Sequence, residues 1–315
     1  MTAASVRSAG EPDLALALRG PKGRHRRESA IGYILLGAAL ISILISGLII
    51  LSLIGGAVDF ITHVVLPALA ADGWYPRRGE FGLLTLFAGS LVVTFIALVF
   101  AVPIGLLAAI YLAEYANPRA RRVIKPVLEI LAGIPSVVLG FFALTWVSPT
   151  IVQRLNPGSS DFNLFAAGLG VGILTIPLVA SISEDSMRSV PRSLREAAYG
   201  LGARRMTTSL RVVVPAGLSG IVAAVILGIS RALGETMVVA VAAGGSGGAQ
   251  FTVNPFDPGQ TITAAMAALA TGSDQVAGSG NAFQSLFFLG MILFLLTFAL
   301  NQFGDYFVRR TRQQY

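Results

Sequence analysis

Six runs of apolar residues constrain this chain more than any other feature: roughly 31–55, 83–112, 123–147, 164–183, 213–243 and 283–308. A helix needs about 20 residues to cross a bilayer, and each run is near or above that length. Lipid cannot satisfy backbone N–H and C=O groups, so each run must bond internally as a helix. The expected fold is an all-α membrane protein with six transmembrane helices. Charged residues make up only 12% of the 315, and hydrophobic residues 54%. A soluble protein carries roughly 25% charged residues. The first run is too long for the core of a cleaved signal peptide and reads as an uncleaved anchor. The fifth is long enough to tilt, bend or project from the membrane.

Charge gives the orientation. Nineteen of the 23 Lys and Arg residues fall in the N-terminal tail, the loop between runs 2 and 3, the loop between runs 4 and 5, and the C-terminal tail. Arg77, Arg78 and Arg154 fall on the opposite side. This asymmetry places both termini in the cytoplasm. The net charge of +7 is split among short segments between apolar runs, which fits a membrane protein and not a nucleic-acid binder. Three regions follow. Residues 1–30 form a basic tail without expected structure, 31–82 an anchor helix and external loop, and 83–310 the core. There is no cysteine, which excludes disulfides and thiol chemistry. His25 and His63 are the only histidines, so no metal site is expected.

The cytoplasmic loop between runs 4 and 5 reads "EAAYGLGARRMTTSLRVVVP", Glu196 to Pro215. Ahead of it, Pro191 suits the first turn of a helix and Ser189 a cap. Leu194, Ala198 and Leu201 then share one face, and Gly202 is placed to end the helix. A second short helix reaches Pro215. Such an element either fits a groove on another protein or lies on lipid.

The spacing of Glu196, Ala197, Ala198, Gly202, Val212, Val214 and Pro215 resembles the EAA loop of bacterial ABC-importer permeases. That family usually carries Ile and Leu where this chain has Val212 and Val214. The resemblance implies a type I ABC importer transmembrane domain, with Glu196, Ala197, Ala198 and Gly202 in a coupling helix (within 189–215) that docks into an ATPase subunit. "VPIGLLAAIYLAEYA" (102–116), "LEILAGIPSVVLGFFAL" (128–144) and "RALGETMVVAVAAGG" (231–245) together resemble the phosphate-specific transport permeases. "GETM" followed by valines is similar to the PstC type. The PstA type usually reads "GETAPL" there. The resemblance implies a bacterial inner-membrane permease with a PstA-like second permease, a PstB-like ATPase dimer and a PstS-like external phosphate-binding protein as partners. The chain itself is then not an enzyme. It has no P-loop lysine motif, and ATP and Mg belong to the partner ATPase.

Once the loop and tail cations are set aside, one basic residue remains, Arg231, inside the fifth run, and Glu235 follows four residues later. A charge at mid-membrane costs about 2.5–3.5 kcal/mol on insertion scales, which favours a protein interior or water. On a continuous helix the two share a face. They form either a self-neutralising structural pair or part of a translocation path. In the second reading Arg231 meets phosphate through two parallel hydrogen bonds. Glu235 then limits affinity so that the anion leaves. In related phosphate permeases this Arg and Glu are regarded as functionally important. Gly234 between them, and Gly228 before them, allow close packing or a bend.

Pro103, Pro135 and Pro177 lie within runs 2, 3 and 4, and each should bend or loosen its helix. With Gly133 they are candidate hinges. Glu114 and Glu129 are expected to pair with Arg119, Arg121 or Arg122. Glu184 and Asp185 end run 4 and either cap the following loop or contact the ATPase. "GLGVGI" (168–173) lies inside a run and reads as packing, not as a nucleotide loop. "QTITAAMAALA" (260–270) is expected to form a short surface helix. Segments 55–82 and 244–282 are the candidates for meeting a binding protein. Sulfate, molybdate or tungstate would use the same architecture. A secondary transporter, or a phosphate-sensing scaffold, would explain the loop or Arg231 less well.

Overall fold

The computed structural model describes residues 22–64, 66–245, 248–271 and 280–311. The basic tail ahead of Lys22 lies outside the described residues. The chain divides into two units, residues 1–52 and 53–315. Helix α1 (Lys22–His63) starts ahead of the apolar run and includes residues 22–30 of the segment expected to lack structure. In the first unit Ile34, Leu35, Leu44 and Leu48 are all more than half exposed. A helix that is apolar all round belongs in lipid.

Among the described residues, five helices are long and apolar enough to cross a membrane: Glu28–His63, Leu83–Tyr115, Ser136–Leu155, Leu164–Ser189 and Asn281–Arg310. A bent pair, Arg205–Ala216 with Leu218–Leu233, makes a sixth if counted as one span. The all-α membrane fold is therefore present, and two of the six expected spans differ in detail.

The third run, placed at 123–147, is two helices. Helix α3 (Pro118–Ala132) has Asn117 as its cap, accepting from the Ala120 N–H at 2.7 Å. It carries Lys125, Pro126 and Glu129 and buries none of its residues. The chain breaks at Gly133–Pro135, because Pro135 excludes the α region for Ile134. Helix α4 (Ser136–Phe142) starts after Pro135 and continues as a wide π-helical stretch, Ala143–Val152. The crossing helix is thus Ser136–Leu155.

The fifth run, placed at 213–243, is also broken. The pair bends by 71° at Gly217. Helix α8 (Leu218–Leu233) follows, then a break at 234–236, then α9 (Met237–Ala242). The helices α6 (Arg192–Gly200) and α7 (Arg205–Thr208) precede it. Helices α2 (Leu83–Ile110) and α5 (Leu164–Ser189) remain continuous through Pro103 and Pro177. Of the candidate hinges, only Gly133 and Pro135 coincide with a break.

The main core joins α2, α4, α5 and α9 through Val93, Ala97, Leu139, Ala143, Val171 and Val238. Glycines on α5 let the helices approach. A Cβ on Gly168 would lie 2.7 Å from Ile96, and one on Gly172 3.1 Å from the Ala97 carbonyl. Without a hydrophobic drive between helices in lipid, such small-residue contacts supply the attraction. The "GLGVGI" stretch is packing, as expected.

A second cluster closes the opposite end of the 53–315 unit. Phe60 packs edge-on against Phe81 at 5.0 Å, and Trp74 lies 5.7 Å from Phe81. Here three short strands depart from the purely helical expectation. β1 (Gly73–Tyr75) sits between β2 (Glu80–Phe81) and β3 (Ala249–Gln250), both antiparallel to it. The sheet ties together segments 55–82 and 244–282. Helix α10 (Ile262–Ala270) forms where expected but is no surface helix, since Ile262, Thr263, Ala264, Ala265 and Leu269 are buried. Helix α11 (Gly280–Thr311) completes the chain.

Candidate functional site: a cation-lined pocket beside a docking loop

The α6–α7 loop is built for presentation. Ser189 does not cap α6; its hydroxyl donates to the Ser186 carbonyl at 2.7 Å. Pro191 takes the capping position and lies just outside the first turn. Gly202 ends the element as expected, with φ +79°. Its N–H donates to the Tyr199 carbonyl at 2.9 Å, and the Ala203 N–H to the Ala198 carbonyl at 3.0 Å. The tip is open: Leu201 is 90% exposed, and Glu196, Ala197 and Met206 are exposed. The tip thus holds an apolar side chain out beside an exposed carboxylate.

The base of the loop is fastened by a residue that the sequence did not single out. Arg195 donates to Glu114 Oε1 through Nε at 3.1 Å and Nη2 at 2.9 Å. It also donates to the carbonyls of Met187 at 2.8 Å and Val190 at 2.6 Å. Glu114 sits in a single π turn, Tyr111–Tyr115, at the end of α2. Arg205 donates to the Glu114 carbonyl and lies over the Tyr115 ring at 4.9 Å. Glu114 therefore pairs across 81 positions with Arg195, and not with Arg119, Arg121 or Arg122. The reason is that α3 leads Arg121 elsewhere: it caps the end of α2 through the Leu112 carbonyl at 3.0 Å.

Glu184 is the hub of the same end of the bundle. Its side chain is fully buried on α5. It is ringed by Lys125 at 3.4 Å, Arg188 at 3.4 Å and Arg121 at 3.8 Å. Lys125 also reaches Asp185 at 3.4 Å. Burial works to lower the Lys125 pKa, but the carboxylates of Glu184 and Asp185 outweigh it and hold the ammonium above its ordinary value. Glu129 makes no ion pair among the described residues.

Arg231 occupies the last turn of α8, where the helix dipole favours a cation. Arg231 and Glu235 form no ion pair. The i, i+4 geometry does not exist, because α8 stops at Leu233 and Glu235 lies in the break before α9. The Glu235 carbonyl instead accepts from Thr263 Oγ1 at 2.7 Å. Gly234 sits exposed in that break with room for a Cβ, whereas a Cβ on Gly228 would lie 3.3 Å from Thr175 and Val179 on α5. Arg231 faces a pocket of about 240 Å³ between α3, α5 and α8, whose wall includes Lys125, Glu129, Pro177, Ser181 and Glu184.

Residues 101–313 match the family described as binding-protein-dependent transport system inner membrane component. The chain belongs to that family. It is 34% identical over 247 residues to a probable ABC transporter permease protein, YqgH, of Bacillus subtilis, covering 77% of this chain and 78% of that one. It is 32% identical over 292 residues to the phosphate transport system permease protein PstC of Mesorhizobium japonicum, covering 87% of each. Among solved structures it matches the MetNI methionine ABC transporter in an inward-facing conformation, with a TM-score of 0.52 at 21% identity, covering 79% of this chain and all of that one. The fold is thus that of a type I ABC importer permease, and the phosphate permeases are its sequence relatives.

Proposed function

We propose that this protein is one permease half of an ATP-driven inorganic phosphate importer in a bacterial inner membrane. One observation carries the reading. In a chain related to phosphate permeases, the single cation of the α8 span lines a pocket and has no acceptor among the described residues. A guanidinium offers five N–H donors in a fork that matches a phosphate oxyanion.

The assigned roles are as follows. Arg231 meets the anion. Gly234 and Glu235 form the break in the path, with the carboxylate weakening the hold so that the anion leaves. Glu196, Ala197, Ala198 and Gly202 dock into the ATPase, with Leu201 at the contact. Gly133 and Pro135 act as a hinge, with Pro103 and Pro177 as softer points. ATP and Mg are bound by the ATPase dimer, whose closure pulls on α6. Arg195 passes that movement to Glu114 at the end of α2. A second permease completes the path, and an external binding protein delivers phosphate with both termini on the cytoplasmic side.

The test is uptake by the complex of this chain with its partner subunits, reconstituted in vesicles. Labelled phosphate, sulfate and molybdate are offered separately with ATP. Phosphate uptake stimulated by the binding protein is expected. Uptake of sulfate or molybdate with none of phosphate overturns the substrate and leaves the architecture.

A further inference from the structure

The pocket beside Arg231 holds a second cation on a different helix. Lys125 on α3 lines the same space as Arg231 on α8, with Ser181 on α5 in the shared wall. The donors there are under-used. Arg231 and Ser181 make no side-chain hydrogen bond among the described residues. Lys125 has three N–H donors, and its carboxylate contacts, Glu184 Oε2 and Asp185 Oδ1, are both long at 3.4 Å. A space rimmed by two donors without acceptors, Arg231 and Ser181, and by a lysine held only at 3.4 Å by its two carboxylates, fits a ligand rich in acceptors. At about 240 Å³ it is roughly eight times the ~30 Å³ a water occupies in the liquid, enough for a tetrahedral oxyanion with part of its hydration.

We propose that Lys125 and Ser181 join Arg231 in one station on the translocation path, at the end of the bundle that carries the α6–α7 loop, where a hydrated tetrahedral oxyanion pauses before release. This rests on the reading of the chain as an oxyanion permease and adds Lys125 and Ser181 to the path. Glu129 and Glu184 also line the pocket. Glu184 is offset by Arg121 and Arg188, so Glu129 supplies the residual repulsion. With Lys125 shared between Glu184 and Asp185 and Glu129 in the wall, the two cations hold an anion weakly, as a release station requires. Lys125 remains charged at neutral pH, since its carboxylate neighbours keep its pKa raised.

The chain has no cysteine, so with partner subunits made cysteine-free, Lys125→Cys puts the only thiol into the reconstituted complex. Lys125→Cys is expected to lower phosphate uptake at least tenfold while the complex assembles. Aminoethyl methanethiosulfonate, which restores a cation, is expected to recover uptake. The sulfonatoethyl reagent, which adds an anion, is expected to abolish it. During turnover, phosphate should slow modification of the thiol several-fold. A purely structural role for Lys125 is separated by Lys125→Met combined with Asp185→Asn, because Asp185 pairs only with Lys125 among the described residues while Glu184 keeps Arg121 and Arg188. Recovered uptake in that double variant, or thiol modification indifferent to phosphate, overturns the station. Failure of the broader reading looks different: wild type would carry no phosphate. The same thiol assays would then be run with the oxyanion that wild type does carry.

Discussion

Arg195 and Glu114 offer the sharpest structural prediction, because their energetics follow from burial. The Glu114 side chain is 4% exposed and that of Arg195 16%. Removing one partner from a buried pair costs about 3–5 kcal/mol, mostly from the charge left behind. Arg195→Met strands the Glu114 carboxylate, since Arg205 bonds only the backbone carbonyl of Glu114. Partial exposure of Arg195 puts the expected loss near the lower end, about 3 kcal/mol. Glu114→Gln is milder, about 1–2 kcal/mol, because a neutral acceptor still meets the guanidinium and the Met187 and Val190 carbonyls stay bonded. Arg195→Met with Glu114→Gln should cost less than the sum of the single changes, with a coupling of about 2 kcal/mol. Unfolding in mixed micelles titrated with a denaturing detergent measures all four proteins. The same variants should lose stimulated ATPase activity before they lose assembly, because α6 is then loose at its base. A coupling below about 0.5 kcal/mol, with stimulated ATPase intact, refutes the reasoning.

Gly202→Val forces a β-branched residue into φ +79° and should destabilise the loop by about 1–2 kcal/mol, seen as faster proteolysis between α6 and α7. Leu201→Asp, at a position 90% exposed, should leave folding unchanged and reduce copurification of the ATPase. Asn163→Ala removes the cap of α5, where Oδ1 accepts from the Ala166 N–H at 2.7 Å and Nδ2 donates to Ser148 Oγ at 2.8 Å. A loss of about 0.5–2 kcal/mol for the cap is expected, and thermal unfolding reads it. The Lys125 pairing has a defined pH window. A raised folded-state pKa means its stabilisation is full below its ordinary value of 10.5 and is lost as pH rises through the higher folded value. Stability measured across neutral pH should therefore show no step that Lys125→Met removes.

How much of this was legible depends on what encodes each feature. The spans at 83, 164 and 283 were visible because apolar composition alone marks a helix in lipid, and neither Pro103 nor Pro177 interrupts one. The break at Gly133–Pro135 was marked by its Gly and Pro, whereas Gly217 gave no signal and Gly234 left packing and a bend both open, because one to three residues decide such breaks and the surrounding composition stays apolar. Treating 213–243 as continuous produced the Arg231–Glu235 face that the structure does not contain. Gly202 was legible because a turn after an amphipathic stretch has local chemistry. The partner of Glu114 was not, because it lies 81 residues away. Lys125 looked like loop charge until α3, α5 and α8 placed it in one wall with Arg231.

The central claim is that Arg231 meets the transported anion. The most direct measurement is labelled phosphate uptake by the reconstituted complex carrying Arg231→Gln, with ATPase activity read on the same vesicles. The account predicts an assembled complex whose ATPase still responds to the binding protein and whose phosphate uptake is lost. Uptake equal to wild type in that variant contradicts it.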